Sequence, residues 1–213
     1  MQVRRKATDY QNLIYEITHK PEHLAQYSEL LVRLYKQDLE LDFTEQHMQA
    51  GVASVQANER VFIVRDGHRV IAGSKISYAC RGQGIALPME EGKFSVTPLL
   101  PDGQSVQVYG EIGRLVVDPD YRGREILLQL IDTITQYSLG IGCQFLFVLA
   151  PALNAVLYRR VCRGLSMVVR QHKEVALPDK ALYRKLDIKL LSCDIRGLSQ
   201  HTAFTTQSMP IAV

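Results

Sequence analysis

Between residues 105 and 150 the chain reads SVQVYGEIGRLVVD, then PDYRGREILLQLIDTITQYSLGIG, then CQFLFVLA. The first stretch is rich in β-branched residues. In the second, Ile126, Leu127, Leu130, Ile131 and Ile134 recur at helical spacing. The third is apolar without alternation, the pattern of a strand buried on both faces. A strand that is followed by a helix and then by a buried strand must pair with it in parallel, because the crossover returns the chain to its starting end. Residues 60–79, RVFIVRDGHRVIAGSKISYA, impose the opposite demand. Two β-branched runs there flank Asp66-Gly67, a dipeptide that favours the tight turn of an antiparallel hairpin. Both demands together require a mixed sheet.

The remaining elements fit around that sheet. Residues 12–20 alternate as a first strand, and Pro21 opens a helix whose stripe is Leu24, Tyr27, Leu31, Leu34 and Tyr35. Thr44 and Glu45 start a shorter helix reaching about Ala57. Residues 80–104 carry several Gly and Pro, with a turn at Pro101-Asp102-Gly103, and read as a long connection or small extra hairpin over the substrate side. Pro151 begins another helix, followed by two strand-like runs at 165–175 and 181–195. The expected order is β α α β β β α β α β β, one domain over residues 1–197 with a C-terminal tail at 198–213. The fold class is α/β (α+β), a mostly antiparallel twisted sheet with helices on both faces and one parallel pair.

Bulk properties narrow the class. A chain of 213 residues, 46% hydrophobic and 22% charged, is an ordinary globular protein. No apolar run reaches the roughly 20 residues of a membrane span, and the N-terminus lacks the apolar stretch of a signal peptide. The expectation is a cytoplasmic protein. A net charge of +3 is too small to indicate nucleic acid. Cys80, Cys143, Cys162 and Cys193 are scattered without CxxC pairing, and six histidines show no HxxxH or HxH spacing. Reduced thiols and no metal site are expected.

The turn between the two central strands carries the chemistry. VVDPDYRGREILLQL, residues 116–130, runs from strand through a Pro-containing turn to Arg-Gly-Arg and a helix. A helix N-terminus offers unsatisfied N–H groups and a positive dipole end, which suit a diphosphate. Those donors belong to the backbone, Gly123 permits close approach, and Arg122 and Arg124 add cationic charge. Glu125 at the first helical turn favours the helix dipole with its side chain pointing outward.

The order of elements, with LVVDPDYRGR at the fourth strand, resembles the GCN5-related N-acetyltransferase (GNAT) superfamily over roughly residues 12–190. Leu115, Val117, Pro119, Tyr121 and Arg122 match its strand–turn pattern, whereas Glu125 and Leu127 stand where it places small residues. The resemblance implies an N-acyltransferase that moves an acyl group, in the first instance acetyl, from acyl-CoA to a small-molecule primary amine by direct attack in a ternary complex. It implies that the fourth strand splays from the next, that the pantetheine arm lies against the backbone of Leu115, Val116 and Val117, and that the amides of Gly123, Arg124, Glu125, Ile126 and Leu127, with Arg122, cradle the diphosphate.

For catalysis, the resemblance implies Tyr158 in ALNAVLYRRV as the group meeting the coenzyme sulfur, although Pro151 replaces the usual Asn and Gly164 lies two positions late. Glu111 lies six residues before Val117, and period-two alternation places both on one face. Several GNAT enzymes carry a general base there, with Arg114 as either its ion-pair partner or a substrate contact. The short signature GEIGRL, with Glu111, Arg114 and Leu115, is also similar to the autoinducer synthase and N-acyl amino acid synthase branch. That branch implies a long-chain acyl group delivered by acyl carrier protein (acyl-ACP); the basic residues Arg159, Arg160 and Arg163 are a candidate docking face for such a carrier or for the coenzyme's nucleotide phosphate. A catalytically silent CoA-binding module is the third reading, resting on the departures at Glu125, Leu127 and Pro151. Whether the chain acts as a homodimer is left open by these patterns.

Overall fold

The computed structural model describes residues 12–41, 55–90, 94–101, 106–178 and 186–199. The elements along them are β1 (Ile14–Thr18), α1 (Pro21–Leu39), β2 (Glu59–Asp66), β3 (Arg69–Cys80), β4 (Val108–Val117), α2 (Arg124–Gly140), β5 (Cys143–Pro151), α3 (Ala152–Gly164), β6 (Val168–Gln171) and β7 (Ile188–Asp194). Short 3-10 turns occupy Thr97–Leu99 and Pro119–Tyr121. The expected helix at 44–57 falls mostly outside the described residues, as do Asp102 and Gly103 of the expected turn and residues 200–213 of the tail.

The strands form one seven-stranded sheet in the order β1-β2-β3-β4-β5-β7-β6. β4 and β5 run parallel, from Val108 opposite Cys143 to Glu111 opposite Phe147. β1 with β2, β5 with β7 and β6 with β7 are antiparallel. The mixed sheet demanded by the crossover and the hairpin is therefore present. The hairpin turn itself sits one residue later than Asp66-Gly67. Strand geometry continues through Asp66, and the two turn residues are Gly67 and His68, with φ +57 at Gly67. Positive φ at the first central residue alone is the type II′ pattern, which glycine adopts without steric cost.

Contacts group the described residues into two compact units, each assembled from separate stretches of chain. In the first, α1 begins at Pro21, whose missing N–H costs nothing at that position. It buries Tyr27, Leu30, Leu31 and Leu34 against Val61 and Ile63 of β2, Val70 of β3 and Val116 of β4. Val61, Phe62, Ile63 and Val64 are all fully buried. Since successive strand residues point to opposite faces, β2 is covered on both.

In the second unit, β5 lies between β4 and β7, and described residues between β3 and β4 contribute to a core there. Leu87, Met89, Val96, Leu100 and Val106 pack on Tyr109, Phe145, Phe147 and Leu190. Of the two forms expected here, a long connection or a small extra hairpin, the described residues show the connection, organised by a 3-10 turn and a carboxylate. Glu90 accepts from the Leu87 and Val96 amides at 3.0 and 2.9 Å and from the Ser95 hydroxyl at 2.9 Å. These bonds satisfy backbone donors that a loop would otherwise leave to water. Among the described residues, no helix is long and apolar enough to cross a membrane.

Candidate active site

In the first unit lie the end of β4 and the start of α2, the place where the sequence leads one to expect the cradle. Val116 is buried against α1, while Leu115 and Val117 are half-buried. Helix α2 begins at Arg124, after Pro119–Tyr121 closes as a 3-10 turn. Asp118 sets that turn. Its Oδ1 accepts the Asp120 amide at 3.1 Å, and its Oδ2 accepts from Arg33 at 2.9 Å and Arg69 at 2.7 Å. Burial alone would raise its pKa, but the Asp120 N–H and the two guanidiniums outweigh it and hold the carboxyl below its ordinary range. Tyr121 donates to Asp66 at 2.6 Å, with the Arg69 guanidinium 5.9 Å above its ring.

The side chains of residues 122–127 differ in what they touch. Arg122 donates from Nε to the Val117 carbonyl at 3.2 Å and pairs through Nη2 with Asp38. Its charge is thus already matched within the protein, and it ties the turn to α1. The Arg124 side chain lies outside the described residues. Glu125 is exposed and accepts from Gln129 Nε2 at 2.8 Å, one turn along α2. Ile126 and Leu127 are buried. The position expected to be small in a phosphate loop is here a core leucine. The residue preceding the helix is Gly123, which has no side chain with which to cap the first amides.

In the second unit, Glu111 is half-buried on β4 in the last parallel pair, opposite Phe147. Its Oε2 accepts the Met89 amide at 2.7 Å. The carboxylate therefore fastens Met89 to β4, a contact whose partner is 22 residues upstream. The sequence offered no sign of it: an amide donor leaves no trace in residue type. Between Glu111 and Val117 the chain passes through Arg114 at φ +53. A left-handed residue breaks strict alternation, so the six-residue spacing no longer decides which face the two share.

Tyr158 is buried on α3 with Ala155, Val161 and Cys162, all within three or four positions of it. Arg159 is half-buried, and Arg160 and Arg163 are exposed. The predicted residues therefore fall into two groups: 114–117 and 122–127 in the first unit, Glu111 and Tyr158 in the second. Glu111 and residues 114–117 share strand β4.

The sequence profile described as N-acyl amino acid synthase FeeM matches residues 26–178. No protein of curated function matches the chain at a significant level. Among solved structures, FeeM, an N-acyl amino acid synthase from uncultured soil microbes, superposes with a TM-score of 0.59 at 13% identity, covering 85% of this chain and 88% of that one. Arabidopsis thaliana NAA60, solved with a bisubstrate analogue, gives 0.55 at 18% identity over 85% and 95% of the two chains. The AHL synthase LasI gives 0.55 at 11% identity over 86% and 90%. At these identities the structures establish the GNAT-type fold, and the profile, which spans well over half of the chain, establishes the branch: the protein belongs to the N-acyl amino acid synthase FeeM family and is an acyltransferase.

Proposed function

We propose that this enzyme joins an acyl group to the amine of an amino acid, drawing the group from a phosphopantetheine thioester. The observation that carries the reading is the family match over residues 26–178, which takes in Glu111, the strand end at 115–117, the turn and helix start at 122–127, and Tyr158. It shifts the reading from acetyl transfer onto an unspecified small amine, which the turn motif alone favours, towards an N-acyl amino acid as product. Acyl-CoA and acyl carrier protein share the arm that the backbone of residues 115–117 would pair with, so both remain donors for the same strand.

The chemistry is a direct exchange. The amine nitrogen attacks the thioester carbonyl carbon, a C–N bond forms, the C–S bond breaks, and one proton passes from nitrogen to the departing thiolate overall. Glu111 is the group we assign to taking the amine proton, oriented by the N–H of Met89. Tyr158 is assigned to the sulfur. The amides at the start of α2, which follow Gly123, suit phosphate, and Glu125 is turned along the helix to Gln129. Donors of this kind circulate in the cytoplasm, which is where we place the enzyme.

The test is product analysis. The purified protein is incubated with pooled amino acids and with acetyl, octanoyl or palmitoyl groups, each carried either on coenzyme A or on acyl carrier protein. Mass spectrometry should find N-acyl amino acids. Transfer to peptides or polyamines with no acylated amino acid would sink the acceptor assignment, and a product seen only from acetyl-CoA would return the donor to the short-chain reading.

A further inference from the structure

Three described residues other than glycine have φ in the left-handed region: Glu40, Arg114 and Ser166. Glu40 caps the end of α1 and Ser166 follows the end of α3, places where that conformation is ordinary. Arg114 lies inside a strand, where a residue with a Cβ avoids it. Something must hold it there.

Tyr27 on α1 does so. Its hydroxyl donates to the Arg114 carbonyl at 2.7 Å. The ring is fully buried in a recess that exists because residue 73 is glycine. A Cβ at Gly73 would lie 2.7 and 2.8 Å from two ring carbons of Tyr27 and 2.9 Å from the Phe62 carbonyl oxygen. Burial pushes the phenol well above its ordinary range, more than the nearby Arg114 charge lowers it, so the hydroxyl stays a donor throughout the working range. The register of β4 with β5 runs to Glu111. Arg114 follows three residues later, and the backbone of residues 115–117 comes immediately after it.

We propose that Tyr27 is a positioning residue for the acyl donor: its hydroxyl locks the left-handed step at Arg114 and thereby sets how the backbone of residues 115–117 is presented to the donor's arm. The step is a conformational lock and not part of the chemistry. It rests on the reading that this backbone receives the donor, and the experiment separates the two.

Tyr27→Phe removes the lock and keeps the ring in its recess. Amide hydrogen exchange, read residue by residue by NMR on the full chain, should quicken about tenfold at residues 115–117, as expected for one buried hydrogen bond. The Kd for octanoyl-coenzyme A, or for octanoyl carrier protein, should rise by about the same factor, with the acceptor KM unchanged. Adding Arg114→Gly should restore both, because glycine takes positive φ without a lock, whereas Arg114→Ala should restore neither. A packing role for Tyr27 predicts no such selective rescue. Unchanged exchange in Tyr27→Phe, or equal rescue by glycine and alanine, would overturn the proposal. If the exchange responds as expected but the unsubstituted protein binds neither donor, the donor reading fails and the lock stands. Should Tyr27→Phe fail to fold, the double variant with Arg114→Gly is expected to fold, and its failure as well would count against the lock.

Discussion

The contact that Glu111 makes and the base role proposed for it can be separated by a single substitution. Its Oε2 holds the Met89 amide, and its negative charge is what a base requires. Glutamine keeps an oxygen for the amide and lacks the basicity. Glu111→Gln should therefore lower kcat by about a hundredfold or more, the usual contribution of a general base, while leaving the thermal midpoint nearly unchanged. Steady-state kinetics beside a melting curve check this, and a full rate in the glutamine variant would make Glu111 an anchor alone. Glu90 shows what a purely organising acid looks like here, with two backbone amides and a serine hydroxyl on its oxygens. It lies 3.5 Å from the Tyr109 hydroxyl, whose pKa is raised first by burial and then by the Glu90 charge. Glu125 is simpler: exposed and bonded to Gln129, it leaves the helix amides to the backbone.

At the level of elements, β4 is a strand with a step in it, and the step is supported from α1 across β3. The support depends on Gly73 being empty. In Gly73→Ala the added methyl meets the Tyr27 ring and a backbone oxygen at distances that real Cβ contacts do not reach. The ring has no free direction and the carbonyl belongs to β2, so overpacking should destabilise the protein by about 1–3 kcal/mol in denaturant unfolding. Gly110 is crowded less severely, with a Cβ there at 3.0 Å from the Tyr78 ring. An alanine at 73 without measurable cost would mean that the recess is looser than the distances imply. The order of elements was readable before any of this, because helical and strand periods are local signals: Leu31 and Leu34 on α1, or the β-branched run of the 60–79 hairpin. The Tyr27 hydroxyl was not, since its place in the stripe of α1 already explains the ring as core.

For the whole molecule, the titrating groups give acid lability in two steps. His172 bonds Ser192 Oγ at 2.8 Å through Nε2, and burial, then the Arg170 charge, lower its pKa below the ordinary 6.5. The unfolded chain therefore binds its proton more readily, so stability present above pH 6.5 is lost as pH falls through the lowered folded value. Asp118, and Asp194 through its bonds to Arg196, have pKa values below the ordinary 3.8, so their contribution is lost in turn at still lower pH. Urea midpoints measured across pH should show the upper step vanish in His172→Gln and the lower one shrink in Asp118→Asn. A profile unchanged by either substitution would contradict this assignment. The sequence by itself determined the mixed sheet, because a helical crossover forces parallel strands and a two-residue turn forces antiparallel ones. It also determined that a helix would start soon after the fourth strand, because the apolar period from Ile126 to Ile134 is a local signal. Only the tertiary structure decided that Arg122 is matched by Asp38, 84 residues away, that Glu111 holds the Met89 amide, and that Tyr27 pins Arg114. Each of those joins groups distant in the chain through polar atoms, a guanidinium on a carboxylate, a carboxylate on an amide and a hydroxyl on a carbonyl, and periodicity records which residues are apolar, not which polar atoms will meet.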